Sequence, residues 1–496
     1  LLGLGMALMR WRDAVVLSLP FWMLFMVLPG ILTVPWEAPQ SLRSITVIPA
    51  VAALAALAIG VAWQAGRDAP WSWVRRIATP AVLALLSLIA YDNVDTYFDD
   101  QAHNPEVYAA FSTDETLMAR DMVRQQQRGF SLWISRQYLY GLTLGLLTDH
   151  ARQSVIGSPH QIPIDSANVW KGAAIYLEPR DSGFYETLKA YYPDGDFSEV
   201  RASGGQELLY YSVKLSAEEI ANRQGLEASY LYPDGSDIGA VDVIRDSTWQ
   251  VAMGPAVQYP YDVFLDGSIH VINSGEYTLR LEGDAGDVVT FDGNIILDHS
   301  QREVTIVPGV GLHSLSIRGT ALDPRGAFRL LWQPPAADMT PIPYGNLFHG
   351  SVRPIGLAGL FYSGSEERRI AEQAHTTPSM DVFYYDPVVP EPSMTVWRGS
   401  LKRLLPGRYN FRIEGSGDVK LFINDSLVAQ HSATGSEATQ KDVRLKPGEN
   451  DIRVEYQSPS PPNNVRIVWE HEQAGMQPIP PDLLTPSGEH MFRIVE

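Results

Sequence analysis

Apolar and polar positions divide the chain into three regimes. Up to residue 95 the apolar stretches are long and nearly uninterrupted. From 96 to 224 apolar residues recur at helical spacing between short continuous runs, and from 225 onward they alternate every second residue. The run "AVVLSLPFWMLFMVLPGILTV" at 14–34 has no charge, enough to cross about 30 Å of hydrocarbon at about 1.5 Å per residue. Residues 45–63, "ITVIPAVAALAALAIGVAW", are rich in Ala and Gly, which predicts a helix packed closely against its neighbours. A third span, 77–94, opens with "IATPAVLALLSLIAY" and takes Trp71, Trp73 and Tyr91 as interfacial anchors. Residues 1–95 are thus expected to be transmembrane helices.

Further along, "STDETLMARDMVRQQQRG" at 112–129 predicts a helix, with Ser112 and Glu115 at capping-box spacing and Gly129 as the stop. "FSLWI" alternates like a strand, "RQYLYGLTLGLLTDH" is helical, "GAAIYLEP" at 172–179 reads as a buried strand, and "GFYETLKAYYPDG" is a helix. "ELLYYSVKL" closes the series, followed by a short helix capped by Ser216 and Glu219. This alternation predicts a small α/β domain over 96–224.

The last regime contains a duplication. "GLEASYLYPDG" at 225 is answered by "GLAGLFYSGS" at 356, "DGSIHVINSGEYTLRLEG" at 266 by "RGSLKRLLPGRYNFRIEG" at 398, and "FRLLWQPP" at 328 by "VRIVWEHE" at 465. The offsets of 131, 132 and 137 grow slowly while the order holds, so one module occurs twice with loop insertions, at 225–345 and 356–486. Alternation in "YTLRLEG" and "YNFRIEG", with turns in "PGVG" and "KPGEN", predicts antiparallel β-sandwiches. Tyr277, Tyr409, Trp332 and Trp469 recur at matched places and read as core.

Charge gives these regimes an orientation. Residues 1–91 hold six Arg, no Lys and three acids, which leaves a net −22 of the chain's −19 on residues 92–496. Arg10 and Arg12 precede the first span and Arg67, Arg75 and Arg76 lie between the second and third. These flanks are expected in the cytoplasm, with the 35–44 loop and residues 92–496 extracytoplasmic. An acidic region of this size argues against a nucleic-acid partner. The absence of cysteine excludes disulfides, thiolate metal sites and a Cys nucleophile. The acids Asp92, Asp95, Asp99 and Asp100 near His103 read as a solvated face next to the membrane. No Gly-rich phosphate loop or nucleophile elbow occurs, and neither a catalytic residue nor a metal ligand is assigned.

The loop "WEAPQSLRSITVIP" at 36–49 keeps Glu37 and Arg43 between two apolar spans. Arg43 at the membrane surface can snorkel to headgroups or pair with Glu37. Alternatively, an outward-facing Arg at a helix start suits the phosphate of a lipid carrier. With its flanking spans this loop resembles polytopic glycosyltransferases of the protein O-mannosyltransferase and aminoarabinose-transferase type, family 39 and its bacterial relatives, over residues 14–112. Glu37, Ala38, Pro39, Leu42, Arg43 and Pro49 match that family's exterior loop, with Gln40 where His is common. The resemblance implies a polyprenyl-phosphate sugar donor, contacted by Arg43 and Glu37. It also implies a catalytic carboxylate in a first exterior loop that is not in this chain.

Both copies of the repeat resemble the PA14 module, a β-sandwich of toxins, glycosidases and adhesins. The matched residues are Gly225-Leu226 and Gly356-Leu357, Gly267 and Gly399, Gly275 with Tyr277, Gly407 with Tyr409, and Phe291-Asp292-Gly293, which becomes Ile423-Asn424-Asp425. Sugar-binding members hold calcium on an adjacent Asp pair. The corresponding stretches here, Asp284-Ala285-Gly286 and Gly415-Ser416-Gly417, lack it, so calcium-dependent sugar binding is not expected, although a divalent cation stays open as a cofactor. Sugar contact would fall to Asp287 or Asp292, and a structural spacer role stands as an equal alternative.

The sequence thus predicts a multidomain integral-membrane protein with α-helical transmembrane segments, a small α/β domain and two PA14-like sandwiches. The favoured function is the C-terminal region of a glycosyltransferase using a lipid-linked sugar. The alternative is a non-enzymatic surface scaffold or carbohydrate-binding protein. Expected partners are membrane lipids, a polyprenyl-phosphate sugar and a cell-envelope glycan or protein.

Overall fold

The structure, a computed structural model, describes residues 2–31, 45–104, 112–149, 152–156, 161–202, 207–283, 286–350, 354–365, 371–384, 388–432, 442–458, 463–471, 474–487 and 492–495. These residues form two compact units, Leu1–Val107 and Tyr108–Glu496.

The first unit is helical, with helices Leu2–Met9, Ala14–Ile31, Ile48–Arg67 and Ser72–Asp95, the last prolonged by π and 3-10 turns to His103. Small residues let the first and third helices approach closely. A β-carbon on Gly3 would lie 1.9 Å from the Leu54 carbonyl oxygen, a position only glycine allows. The indole of Trp22 donates to the Thr46 carbonyl at 3.1 Å, and that of Trp63 to Thr79 Oγ1 at 3.1 Å. Helices Ile45–Arg67 and Ser72–His103 are long and apolar enough to cross a membrane, whereas the apolar helix Ala14–Leu28, within the expected first span, is shorter. Leu83, Leu86, Leu88 and Ile89 of the last helix remain exposed, a surface that hydrocarbon would accommodate at lower cost than water.

The second unit begins with a mixed five-stranded sheet. We label its strands β1 (Ser131–Ser135), β2 (Gln153–Ile156), β3 (Gly172–Leu177), β4 (Asp196–Arg201) and β5 (Leu208–Ser216). Their spatial order is β2-β1-β3-β5-β4, with β1 parallel to both β2 and β3 and the other pairs antiparallel. All six residues of β3 are buried, as a central strand covered on both faces requires. Helix Thr113–Gln127 covers one face through Met118 and Met122, against Ile134 and Tyr176. Helix Ser182–Tyr191 covers the other through Tyr185 and Leu188, against Ile175 and Val213.

One expected cap is corrected here. Ser112 has φ 47 and makes no side-chain cap, and Glu115 instead accepts a hydrogen bond from the Leu144 backbone N–H at 3.1 Å. A tertiary partner takes the carboxylate that capping-box spacing assigned to a local role. At Ser216 and Glu219 the box does form, with both reciprocal bonds present.

Two sandwiches follow. In the first, one sheet runs in the order Asn294–Leu297, Val288–Phe291, Gly311–Ala321, Tyr261–Val271, Leu226–Leu231, Asp237–Ile244. In the second, the matching sheet runs Ser426–His431, Asp418–Ile423, Glu449–Ser458, Ser393–Lys402, Leu357–Ser363, Gln373–Thr377. The order is the same strand for strand, so the sequence duplication is a duplication of fold. The recurring aromatics lie inside: Tyr277 packs on Trp332 and Tyr409 on Trp469, at centroid separations of 5.5 and 4.9 Å. Each Tyr hydroxyl donates to a carbonyl four residues earlier, on Asn273 and Leu405.

The copies differ at one edge. Strand Phe492–Ile494 returns from beyond the second sandwich and pairs with Glu303–Pro308 of the first. The two sandwiches also touch directly, where the Val310 N–H donates to the Ala374 carbonyl at 2.7 Å.

Candidate functional site

The residues singled out from the sequence fall in different surroundings. Glu37 and Arg43 lie outside the described residues. Asp287 is 1 % exposed, inside the first sandwich. The bare backbones of Gly283 and Gly319 make room for its carboxylate, and Arg302 Nη2 lies 3.9 Å away. Asp287 therefore shapes the interior of the sandwich and presents no surface to a sugar.

Asp292 is placed differently. It occupies the two-residue turn between Val288–Phe291 and Asn294–Leu297, where it and Gly293 have φ of 45 and 77, the left-handed pair that a tight hairpin needs. One carboxylate oxygen accepts from the Ser314 N–H at 2.9 Å, and the other lies 2.6 Å from His313 Nδ1. His313 Nε2 lies 2.8 Å from the Gly309 carbonyl. These contacts hold the turn against the central strand Gly311–Ala321.

This turn forms part of the wall of a cleft of about 320 Å³ between the α/β domain and both sandwiches. Helix Ser182–Tyr191 contributes Tyr191, and the link out of the α/β domain contributes Arg223. Ser268, Asp292 and Ser314 come from the first sandwich, His349 from the segment after it, and Thr376 and Ser487 from the second. Among the described residues no carboxylate lies within ion-pair distance of Arg223. Burial holds His349 below the ordinary imidazole value, with Glu227 opposing and Arg223 adding to the effect. The cleft combines a ring, hydroxyls and a cationic donor, and its volume falls at the lower end of the roughly 300–1,000 Å³ of small-molecule sites.

Of the residues lining it, only Asp292 was named from the sequence. His313 was findable as a histidine at an inward position of an alternating strand. Arg223, Tyr191 and His349 carry no local signal, because elements far apart in sequence bring them together.

A second, smaller pocket of about 70 Å³ lies at the carboxyl ends of β1 and β3, where open α/β sheets hold ligands. Glu178, Arg180 and Asp181 follow β3, and Asp381 and Tyr384 of the second sandwich face them. The Ser135 hydroxyl donates to Asp181 and accepts from the Glu178 N–H. Arg180 pairs with Glu178 at 2.9 Å, and Arg466 with Asp381 at 3.3 Å. Burial pushes Asp181 up to about 7, with the Glu178 charge adding and Ser135 and Arg180 opposing. Burial also raises Glu178, against Arg180, and Asp381, against Arg466 and Arg180. Among the described residues no group of three or more His, Asp or Glu is arranged to hold a metal ion.

Comparison with known proteins places a PA14 domain at residues 365–483. No curated protein matches the chain. Among solved structures, the chain is similar to an anti-sigma factor domain-containing protein from Clostridium clariflavum, at 19 % identity over 53 % of this chain and 100 % of that one, with a TM-score of 0.25. It is also similar to a PA14 sugar-binding domain from an RTX adhesin, at 13 % identity over 27 % of this chain and 99 % of that one, with a TM-score of 0.23. An epithelial adhesin domain from Candida glabrata matches at 10 % identity over 28 % of this chain and 89 % of that one, with a TM-score of 0.24. The PA14 match covers residues 365–483, and the preceding sandwich repeats the strand order of the second in the same chain.

Proposed function

We propose that this chain is the glycan-contacting region of a membrane-held cell-envelope protein, with the cleft at Tyr191, Arg223, Asp292 and Ser487 as its saccharide site. The observation that carries this reading is the make-up of that cleft. A sugar ring offers C–H faces to an aromatic side chain and hydroxyls to polar ones, and the cleft supplies both from three different modules. Arg223 favours a saccharide that bears an acidic group. The helices Ile45–Arg67 and Ser72–His103 provide the attachment, with residues 92–496 on the outer side. The full chain in detergent, screened on a glycan array and then by calorimetry, is expected to bind a uronic-acid oligosaccharide irrespective of chelator. Arg223→Ala is expected to weaken that binding at least about tenfold. If no glycan binds, or if Arg223→Ala and Tyr191→Ala both leave binding intact, the site is not this cleft.

The loop at 36–49 favours a second reading, in which the chain is the C-terminal part of a glycosyltransferase that takes its sugar from a polyprenyl phosphate. Arg43, with Glu37 six residues before it, then contacts the donor phosphate, and the cleft positions the acceptor glycan. Transfer from a polyprenyl-phosphate sugar by membranes carrying the intact protein is expected to fall on Arg43→Ala. Unchanged transfer removes Arg43 from the mechanism.

A further inference from the structure

The segment after β1 exposes apolar side chains that the α/β domain does not need for its own core. It consists of a 3-10 turn, Arg136–Tyr140, and a short helix, Leu142–Leu147. Leu144 points inward at 1 % exposure and joins the cluster of Met118, Met122 and Tyr138. On the outside, Leu142 is 91 % exposed, Leu146 77 %, Tyr140 67 % and Leu139 50 %. Leu142 and Leu146 are four residues apart on a helix and so share a face. Four large apolar side chains left exposed within eight residues of chain favour a contact over chance exposure.

Two observations favour a bilayer as its cover. First, the helix is pinned to the point where the chain enters this unit. Glu115, in the first turn of helix Thr113–Gln127, accepts from the Leu144 N–H at 3.1 Å, and Gly141 is bare where a β-carbon would meet that carboxylate at 2.8 Å. Second, helix Ser72–His103, one of the two able to cross a membrane, ends ten residues before Thr113. Extended chain spans at most about 36 Å over that distance, so the covalent link limits how far the start of this unit can stand from the end of that helix.

We propose that Leu139, Tyr140, Leu142 and Leu146 form a membrane-docking face that inserts into the boundary between headgroups and acyl chains of the leaflet from which the second unit emerges. The proposal rests on the reading of the apolar helices as membrane-spanning, and it is independent of glycan binding. Leucines in the acyl region with a tyrosine at headgroup level are the usual composition of such a face. Because residues 92–496 are strongly acidic, apolar insertion and not charge attraction carries the attachment, and added salt does not release it.

The chain has no cysteine, so Leu146→Cys gives a unique labelling site. The full chain, carrying an environment-sensitive fluorophore there, is reconstituted into vesicles of phosphatidylcholine and phosphatidylglycerol. Its emission is expected to be blue-shifted relative to a label at Val241→Cys, an exposed position on the first sandwich, and quenched by lipids bearing a nitroxide near the headgroup. Leu142→Cys, also on the exposed face, is expected to behave alike. Emission equal to that of the Val241 label, in vesicles that retain the protein, overturns docking alone. A blue shift without lipid quenching means that protein covers the face, and also overturns it. Failure of the chain to float with vesicles overturns membrane attachment together with docking, whereas calorimetry with the oligosaccharide reads the cleft separately.

Discussion

His313 Nδ1 lies 2.6 Å from Asp292 Oδ2, and this contact fastens a hairpin turn to the central strand beside it. In the second sandwich Asn450 and Asn424 hold the same two places, with Asn424 Nδ2 donating to Asn450 Oδ1 at 3.0 Å. Both arrangements solve one problem, since each turn has left-handed residues that need an anchor from the neighbouring strand. Asp292→Ala is expected to destabilise the first sandwich by about 1–3 kcal/mol, because it leaves the buried His313 ring without one of its partners. Replacing both residues with Asn, as in the second copy, is expected to recover part of that loss. Urea unfolding of Asp292→Asn, His313→Asn and the double variant measures the coupling, and strict additivity would show that the pair does not act as a unit.

The carboxylates at the junction of the α/β domain and the PA14 domain make stability depend on pH. Asp181 holds its proton up to about pH 7 in the folded chain, against a reference value of 3.8. Between these values the folded state binds more protons than the unfolded one, so stability falls as pH rises through this window. Glu178 and Asp381, both raised, act in the same direction. Asp181→Asn is expected to flatten this dependence, with a higher melting temperature than the parent chain above about pH 7 and a similar one near pH 4. Thermal melts of the two proteins across that range test this, and parallel curves would mean that Asp181 titrates as an ordinary surface acid.

How much of this was readable in the sequence depends on how local each cause is. The sandwich strands were legible because alternation is a property of neighbouring residues and the copy supplies a second reading of each strand. Glu115 was misassigned because spacing reports which local bonds are possible, while its partner Leu144 comes from another element. Strands β2 and β4 escaped notice because "QSVI" and "DFSEVR" are short edge strands without an apolar pattern. The cleft and the acid pocket were not legible at all. Arg223 and Ser487, or Asp181 and Asp381, meet only once the modules pack.

Asp287 separates a structural from a ligand-binding role. A β-carbon on Gly283 would lie 2.2 Å from its carboxylate and 2.7 Å from the β-carbon of Phe328. Gly283→Ala is therefore expected to destabilise the first sandwich by about 1–3 kcal/mol through overpacking. Asp287→Ala is expected to lower stability as well, while leaving unchanged the cleft's affinity for the oligosaccharide proposed to bind there. Calorimetry beside denaturation distinguishes the two, and weakened binding at full stability would return Asp287 to the sugar site.

The returning strand Phe492–Ile494 ties the end of the chain to the first sandwich across the whole second one. Ile494 pairs with Ile306 and Arg493 with Val307, and the Phe492 ring meets Phe291 edge-on at 5.1 Å. It prolongs a sheet whose counterpart in the second sandwich ends, among the described residues, with Asp442–Arg444. Phe492 also packs against the first sandwich's core, so its side chain contributes to that module and not to the one it follows in sequence. Phe492→Ala is expected to cost about 1–2 kcal/mol, less than a fully buried Phe because the ring is only partly covered. The loss should appear as faster amide exchange in Glu303–Pro308, with exchange in Ser393–Lys402 unchanged. Uniform acceleration across both sandwiches would instead mean that they unfold as a single cooperative unit, with the strand acting as a clamp on the whole pair.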